Sequence, residues 1–294
     1  MKIFVLGASG YIGSAVIEEL RAHGHNVIAQ TTRKKAAEQL EADGFEVVVG
    51  KMEKPEKWLK AAIKADAIVQ IANTFDDDAG AVESAMFRAL QNALEEKNRK
   101  IRLIYTGGCW LFGKTGDETA AEGDEYNPLK GDEYSVRRCK KLKKSDVFET
   151  IIVHPAMVWD REGGVLKSML ESARTGKPVR VVNGPEVRWP MVHREDVATL
   201  YRLALEKGKP GRDYHGAAGN AVTVGELATA VGRRVAYAPT FEVVSEDEIA
   251  AELGEWARGY GLDQQMTAKR TMFELGWRPK YVNVLDHLGP YGPR

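Results

Sequence analysis

Three glycines within seven residues, Gly7-Ala8-Ser9-Gly10-Tyr11-Ile12-Gly13, are the first residues in this chain whose spacing suggests chemistry. A glycine turn between a strand and a helix N-terminus binds a dinucleotide pyrophosphate through backbone N–H groups and the positive end of the helix dipole. Gly7 allows the sharp turn, Gly10 lets backbone approach the phosphates, and Gly13 lets the helix pack on the sheet. Gly7, Ser9, Gly10, Tyr11, Ile12 and Gly13 are therefore the expected cofactor contacts. A second cluster, Gln30-Thr31-Thr32-Arg33-Lys34-Lys35, offers hydroxyls and three cations but no acid. NAD sites usually place a carboxylate there for the adenosine ribose, and that charge would repel a ribose phosphate. Arg33 instead offers a bidentate clamp, with Thr32 beside it, and the pattern favours NADP.

These groups need a scaffold, and the pattern around them supplies one. Lys2 to Leu6 is an apolar run that reads as a buried strand. Tyr11 to His23 has helical spacing, with Ile12, Ala15, Val16 and Leu20 on one face. Strand and helix patterns then alternate: Asn26 to Thr31, Lys34 to Ala42, Phe45 to Val49, Glu56 to Lys64, Ala67 to Ala72, Gly80 to Lys97, and Ile101 to Thr106. This is the signature of an α/β fold with a Rossmann-type doubly wound parallel sheet. Gly113 to Asn127 reads as a long loop, of the kind that borders active sites. Glu149 to Val153 is a further strand, ended by His154-Pro155. Beyond it the alternation weakens, with helical segments near Val165 to Arg174, Glu195 to Glu206, Val224 to Val231 and Ala268 to Leu275. Residues 1–158 are expected to form the cofactor domain, with parts of 184–220 returning to it. Residues 159–294 form mainly a smaller, interleaved substrate-binding region.

Composition narrows the function classes. Lys plus Arg and Asp plus Glu are 42 each, so no global field favours nucleic acid or a membrane surface. The two cysteines, Cys109 and Cys139, form no disulfide framework and lack metal-ligand spacing. No apolar run approaches a membrane span, and the short N-terminal run leads into the glycine turn rather than a cleavage site. A cytoplasmic protein acting on a small molecule, with no metal, is the expectation.

Motif order adds a resemblance. The glycine turn is followed by Tyr105-Thr106-Gly107-Gly108-Cys109-Trp110-Leu111-Phe112-Gly113 and Tyr134-Ser135-Val136-Arg137-Arg138. Then come His154-Pro155, Val192-His193-Arg194-Glu195-Asp196-Val197-Ala198 and Leu275-Gly276-Trp277-Arg278-Pro279. Over nearly its whole length the chain resembles extended short-chain dehydrogenases/reductases, the NAD(P)-dependent epimerase/dehydratase group. The resemblance implies a Tyr that exchanges the proton of a carbonyl/alcohol pair. A Lys four residues on supports it, and a Ser or Thr after the fifth strand orients the substrate. By context the Tyr is Tyr134, but its partner is Arg138 and the hydroxyl position falls on Gly108. Tyr126-Asn127-Pro128-Leu129-Lys130 also matches Tyr-x-x-x-Lys. Asn127-Pro128 reads as an N-cap and first helical residue, which would leave Tyr126 ahead of the helix.

The resemblance also places Ala72, Thr106, Tyr134, Arg138 and His154 at the cofactor. Met52 would stand against the adenine, where relatives carry Gly-Asp and this chain has Gly50-Lys51. Gly108, Cys109, Trp110, Trp159 and Trp189, with Arg188, would line the substrate pocket. Asp196 is expected to cap the helix that follows it. Relatives often dimerise through the helices around the Tyr, so a homodimer is implied. The segment His154 to Asp160 is apolar and lacks the Asn that holds a nucleotide-sugar diphosphate. The resulting expectation is an NADP(H)-dependent oxidoreductase interconverting a small carbonyl compound and its alcohol. Two alternatives stay open: a sugar or nucleotide-sugar epimerase/dehydratase, and a catalytically impaired NADP(H)-binding sensor or regulatory protein.

Overall fold

In the computed structural model, which describes residues 1–76 and 78–289, the short apolar runs become the strands of one parallel sheet. The first half runs β1 (Lys2–Leu6), α1 (Tyr11–Ala22), β2 (Asn26–Thr31), α2 (Lys34–Ala42), β3 (Glu46–Val49), α3 (Leu59–Ala62), β4 (Ala67–Gln70), α4 (Ala79–Glu95) and β5 (Ile101–Thr106). Then come α5 (Glu133–Lys143), β6 (Phe148–Pro155), β7 (Met157–Trp159), α6 (Lys167–Thr175), β8 (Val179–Val182), β9 (Arg188–His193), α7 (Arg194–Lys207) and β10 (Asp213–Gly216). The chain continues with β11 (Ala218–Thr223), α8 (Val224–Arg233), β12 (Phe241–Val244), α9 (Glu246–Leu253), α10 (Lys269–Leu275) and α11 (Val284–His287).

The main sheet has seven strands in the order β10-β6-β5-β4-β1-β2-β3, all parallel. Burial on both faces explains why β1 and β4 read as continuous apolar runs rather than alternating ones. Strand order reverses between β1 and β4, and ligands of such sheets bind beyond the carboxyl ends of the strands at that reversal. The glycine turn, the loop after β4 and the loop after β5 all leave the sheet there. One apolar core lies under α1 and α7 and runs on into the second half, with Val16, Leu20, Leu200, Trp159 and Trp277 in it. The other lies under α3, α4 and α5, with Trp58, Phe87, Leu90 and Val136. A shared core holds the two halves, and hence the walls of the space between them, in one arrangement.

The second half adds a three-stranded sheet, β11-β9-β7, and a β12-β8 pair. Capping boxes Thr223/Glu226 and Ser245/Glu248 start α8 and α9. Among the described residues no helix is long and apolar enough to cross a membrane.

Three local expectations are corrected. The Glu56 to Lys64 segment is a 3-10 turn, Pro55–Lys57, followed by the single turn of α3. β6 does not stop before His154: His154 and Pro155 stay in the sheet, in register with His215 and Gly216. No helix starts at Pro128, because Gly131 turns the chain with a φ of 105° and α5 begins only at Glu133.

Candidate active site and cofactor cleft

The glycine turn is shaped by contacts that exclude side chains. Gly7 has a φ of 85°, and a Cβ there would lie 2.8 Å from the Ala72 nitrogen. A Cβ on Gly13 would overlap the Gly7 carbonyl oxygen. Gly10 caps α1 with no side-chain hydrogen bond, which leaves first-turn N–H groups for an anion. Gln30, buried at the end of β2, accepts from the Gly7 amide at 3.0 Å and donates to the Gly50 carbonyl. A buried amide near the end of β2 thus braces the turn.

Ser9 and Thr31 hydroxyls meet at 2.7 Å, and Arg33 Nη2 donates to the Ser9 carbonyl at 2.9 Å. Thr31, rather than the exposed Thr32, carries the hydroxyl that faces the turn. Two hydroxyls and a guanidinium therefore converge beside the helix N-terminus, a donor set suited to a ribose phosphate. Met52 is buried in the core with Trp58. The Tyr11 ring is covered by Gly163 and Gly164, and Arg194 clamps the turn from above: its Nε donates to the Tyr11 carbonyl at 2.6 Å and its Nη2 to Ser14 at 2.5 Å. Burial, with the Asp160 charge nearby, pushes the Tyr11 phenol far above its ordinary value. Tyr11 therefore presents backbone, not its hydroxyl, to this region.

From Ile12 a cleft of about 1220 Å³ runs over the carboxyl ends of β4, β5 and β6. Ala72, Thr106, Gly108, Cys109, Tyr134 and Arg138 all line it, as do Met157 and Val158. One wall is aromatic: Trp110 stacks on Trp256 at 6.3 Å and meets Tyr260 edge-on at 5.4 Å, and Phe75 leans on Trp256 at 5.3 Å. Gly259 lets Trp110 lie this close to the following turn, since a Cβ there would enter the indole ring. Gln264, missed in the sequence, donates from its buried amide to the Cys109 carbonyl at 3.0 Å and to that of Gly113 at 2.5 Å. It fixes the Cys109–Phe112 turn that carries Trp110. Burial pushes the Cys109 thiol up to about 12, so it is no thiolate nucleophile.

Tyr134 sits on α5 against Gly80, where a Cβ would lie 3.0 Å from its ring. Burial raises its phenol above the ordinary value, while hydrogen bonds with Ser135 and Asn73 work the other way. The support expected from Arg138 is corrected. That guanidinium, only 8% exposed, donates to Ser84 and lies 3.4 Å from the Glu83 carboxylate, which also accepts from Tyr105 at 3.1 Å. Its charge is spent on Glu83. Burial pushes the Glu83 carboxyl up despite Arg138 and Tyr105. The Thr106 hydroxyl is likewise committed, to the Gln70 carbonyl and Tyr201, each at 2.6 Å. Around Gly108 there is open space where a side chain would stand.

His154 was expected at the cofactor, and that is corrected too. Its ring is wholly buried behind Gly107, where a Cβ would strike Nδ1. Its Nδ1 lies 3.1 Å from the Gly108 amide and 3.3 Å from the Gly108 carbonyl, and its Nε2 lies 3.3 Å from the Tyr126 hydroxyl and 3.9 Å from Asp213. His154 thus braces the Gly107-Gly108 backbone from behind. Burial raises Asp213, but the His154 and Lys143 contacts outweigh it and hold the carboxyl below its ordinary range.

Trp159, Trp189 and Arg188 do not line the cleft. Trp159 is 1% exposed and packs on His193. Trp189 stands behind the wall, its Nε1 donating to the Tyr260 carbonyl at 3.1 Å. Arg188 forks onto Asp263 at 2.8 and 2.7 Å. Asp196 is not a cap. Its carboxylate accepts from the Lys280 and Tyr281 amides at 2.8 and 2.9 Å, and His193 caps α7 instead.

The family model for the NAD dependent epimerase/dehydratase family matches residues 3–216. The chain belongs to that family. It is 27% identical over 98% of both chains to an uncharacterised protein of Schizosaccharomyces pombe. It is 24% identical to a 4-hydroxy-2-methyl-3-oxo-4-farnesyl-3,4-dihydroquinoline-1-oxide ketoreductase of Stigmatella aurantiaca, over 73% of this chain and 67% of that one. The fold is shared with human epimerase family protein SDR39U1, solved with NADPH: TM-score 0.78, 18% identity, 98% of each chain covered.

Proposed function

We propose that this chain is an NADP(H)-dependent reductase of a ketone or aldehyde carried on a flat, largely apolar compound. The observation that carries the reading is the aromatic wall of Trp110, Trp256 and Tyr260 in the cleft that Tyr134 and Met157 also line. Aromatic walls favour ring-bearing ligands through burial and offset or edge-on contacts. The ketoreductase similarity supports the same reaction type. For the cofactor, Ser9, Thr31 and Arg33 fit a ribose phosphate, and the Gly7 to Gly13 turn fits the pyrophosphate.

When bound, the nicotinamide supplies the hydride for the carbonyl carbon. Tyr134 donates a proton to the carbonyl oxygen and recovers one from solvent. Burial holds this phenol above its ordinary value and makes it a weak acid, so its proton passes only as the hydride arrives and the more basic alkoxide develops. His154 holds the Gly107-Gly108 backbone in place beside it, and Trp110 and Trp256 shield the reacting region from water.

The test is a panel of aryl ketones with NADPH, read by loss of nicotinamide absorbance. Aryl ketones should be reduced, Tyr134→Phe should abolish turnover while NADPH still binds, and UDP-glucose should not be turned over. Full activity in Tyr134→Phe, or turnover of UDP-glucose, contradicts the reading. The engagement of Arg138 with Glu83 favours one alternative, an NADPH-binding protein without turnover, and NADPH binding with no ketone reduced would support it.

A further inference from the structure

The cleft has a second end whose chemistry the aromatic wall does not explain. Ser84, Arg88 and Gln91 of α4, spaced by four and three, line it from one side. Arg137 and Lys141 of α5, spaced by four, line it from the other. Among the described residues no carboxylate lies within ion-pair distance of Arg88, Arg137 or Lys141, although the exposed Glu133, one turn before Arg137 on α5, feels the Arg137 charge after its own backbone hydrogen bonds. The acid nearest Arg88 in sequence, Glu83, is taken up by Arg138 and Tyr105. The remaining acids of the lining belong to other segments: Asp76 accepts from the Thr74 hydroxyl, Glu255 pairs with Arg258, and Asp132 stands before α5. Arg88, Arg137 and Lys141 thus give this end of the cleft an excess of positive charge that Glu133 offsets only in part, and an anion bound there would balance it.

We propose that the compound reduced in this cleft carries a carboxylate, held by Arg88, Arg137 and Lys141 between α4 and α5, while its flat part lies on the Trp110–Trp256 wall. This rests on the reductase reading of the same cleft. Gln91, whose Nε2 donates to Glu95 at 2.8 Å, keeps a second N–H beside the cations, whereas the Ser84 hydroxyl is taken up by the Gly80 carbonyl and Arg138. The cations are exposed, so each contributes modestly, and together they should favour an anionic over a neutral ligand by about fivefold to twentyfold at low salt.

The probes are 6-acetyl-2-naphthoic acid and its methyl ester, which share a ketone and a ring system and differ in charge. Binding is read by tryptophan quenching in the NADP⁺-loaded protein, and turnover by kcat/KM with NADPH. The acid should bind more tightly than the ester, the preference should fade at about 0.5 M salt, and it should vanish in Arg88→Ala/Arg137→Ala/Lys141→Ala. Lys141→Arg should retain it. Equal binding of acid and ester, binding of neither, or a preference that survives the triple change would overturn the proposal. Selective binding of the acid without reduction would leave the anion site standing and sink the reductase reading. Reduction of both probes with equal affinity would do the reverse. Mass photometry of the triple variant closes the remaining route: a change of oligomeric state in step with the lost preference would assign these cations to a contact between copies and overturn the proposal.

Discussion

Removing the Glu83 carboxylate should be among the most damaging single changes in the cleft. Glu83 and Arg138 are each 8% exposed, and the carboxylate also accepts from the buried Tyr105 hydroxyl. In Glu83→Leu the Arg138 guanidinium keeps only Ser84 as a hydrogen-bond partner and has no counter-charge. Leaving one member of a buried pair uncompensated costs about 3–5 kcal/mol. The orphaned Tyr105 hydroxyl adds about 1 kcal/mol or more. Replacing both charges, Glu83→Leu with Arg138→Met, removes the desolvated ions together and should be neutral to within about 1 kcal/mol once the Tyr105 loss is set aside. Urea unfolding followed by both far-UV circular dichroism and tryptophan fluorescence reads these differences, and coincident curves show that one transition is measured. A single variant that loses less than about 1 kcal/mol would refute the pairing. So would a double variant as unstable as the sum of the two singles, because the coupling between the side chains would then be absent.

Other outcomes follow from the same neighbourhood. Gly108→Ser meets no atom within 4 Å on extended backbone, φ 169°, so stability should stay within about 0.5 kcal/mol and ketone reduction should quicken; a loss of folding would contradict the open space described there. Gly107→Ala, whose Cβ would strike His154, should cost about 1–3 kcal/mol or more, and urea melts of the two glycine variants side by side give the contrast. His215, fully buried with Nδ1 on the Thr267 carbonyl, has its imidazole pushed down to about 3 by burial, with His154 adding to the effect. Because the folded pKa lies below the unfolded one, stability is full above about pH 6.5 and falls by about 1.4 kcal/mol per unit as pH drops towards 3. His215→Asn keeps a donor for Thr267 and should flatten that slope between pH 6 and 4; an unchanged slope would assign the acid sensitivity elsewhere.

Local patterns carried most of the fold into the sequence. α2 and β5 begin and end where periodicity and apolar runs place them, and the three glycines of the first turn meet the backbone contacts their spacing implies. The misses share a physical cause, a partner far away in the chain. Arg138 reads as a lysine substitute by its distance from Tyr134, but Glu83 and Ser84 lie on a different helix, with Ser84 54 residues away. Trp189 reads as a pocket residue, and only the Tyr260 carbonyl, 71 residues on, shows that it supports the wall from behind. Trp256 and Gln264 fall in segments without a motif, and Gln264 reaches 155 residues back to Cys109. The His154-Pro155 pair looked like a strand end because proline cannot donate. At the last position of β6, beside Gly216 of β10, that missing donor is tolerated.

The central claim, a cleft built for NADP(H), is tested most directly by calorimetric titration of the protein with NADPH and with NADH. NADPH should bind more tightly, and Arg33→Ala should weaken it selectively by about 1.5–3 kcal/mol, the worth of a charge-assisted hydrogen bond, leaving NADH nearly unchanged. Equal affinities in the unmodified protein, or an Arg33→Ala variant that loses both cofactors alike, would contradict it.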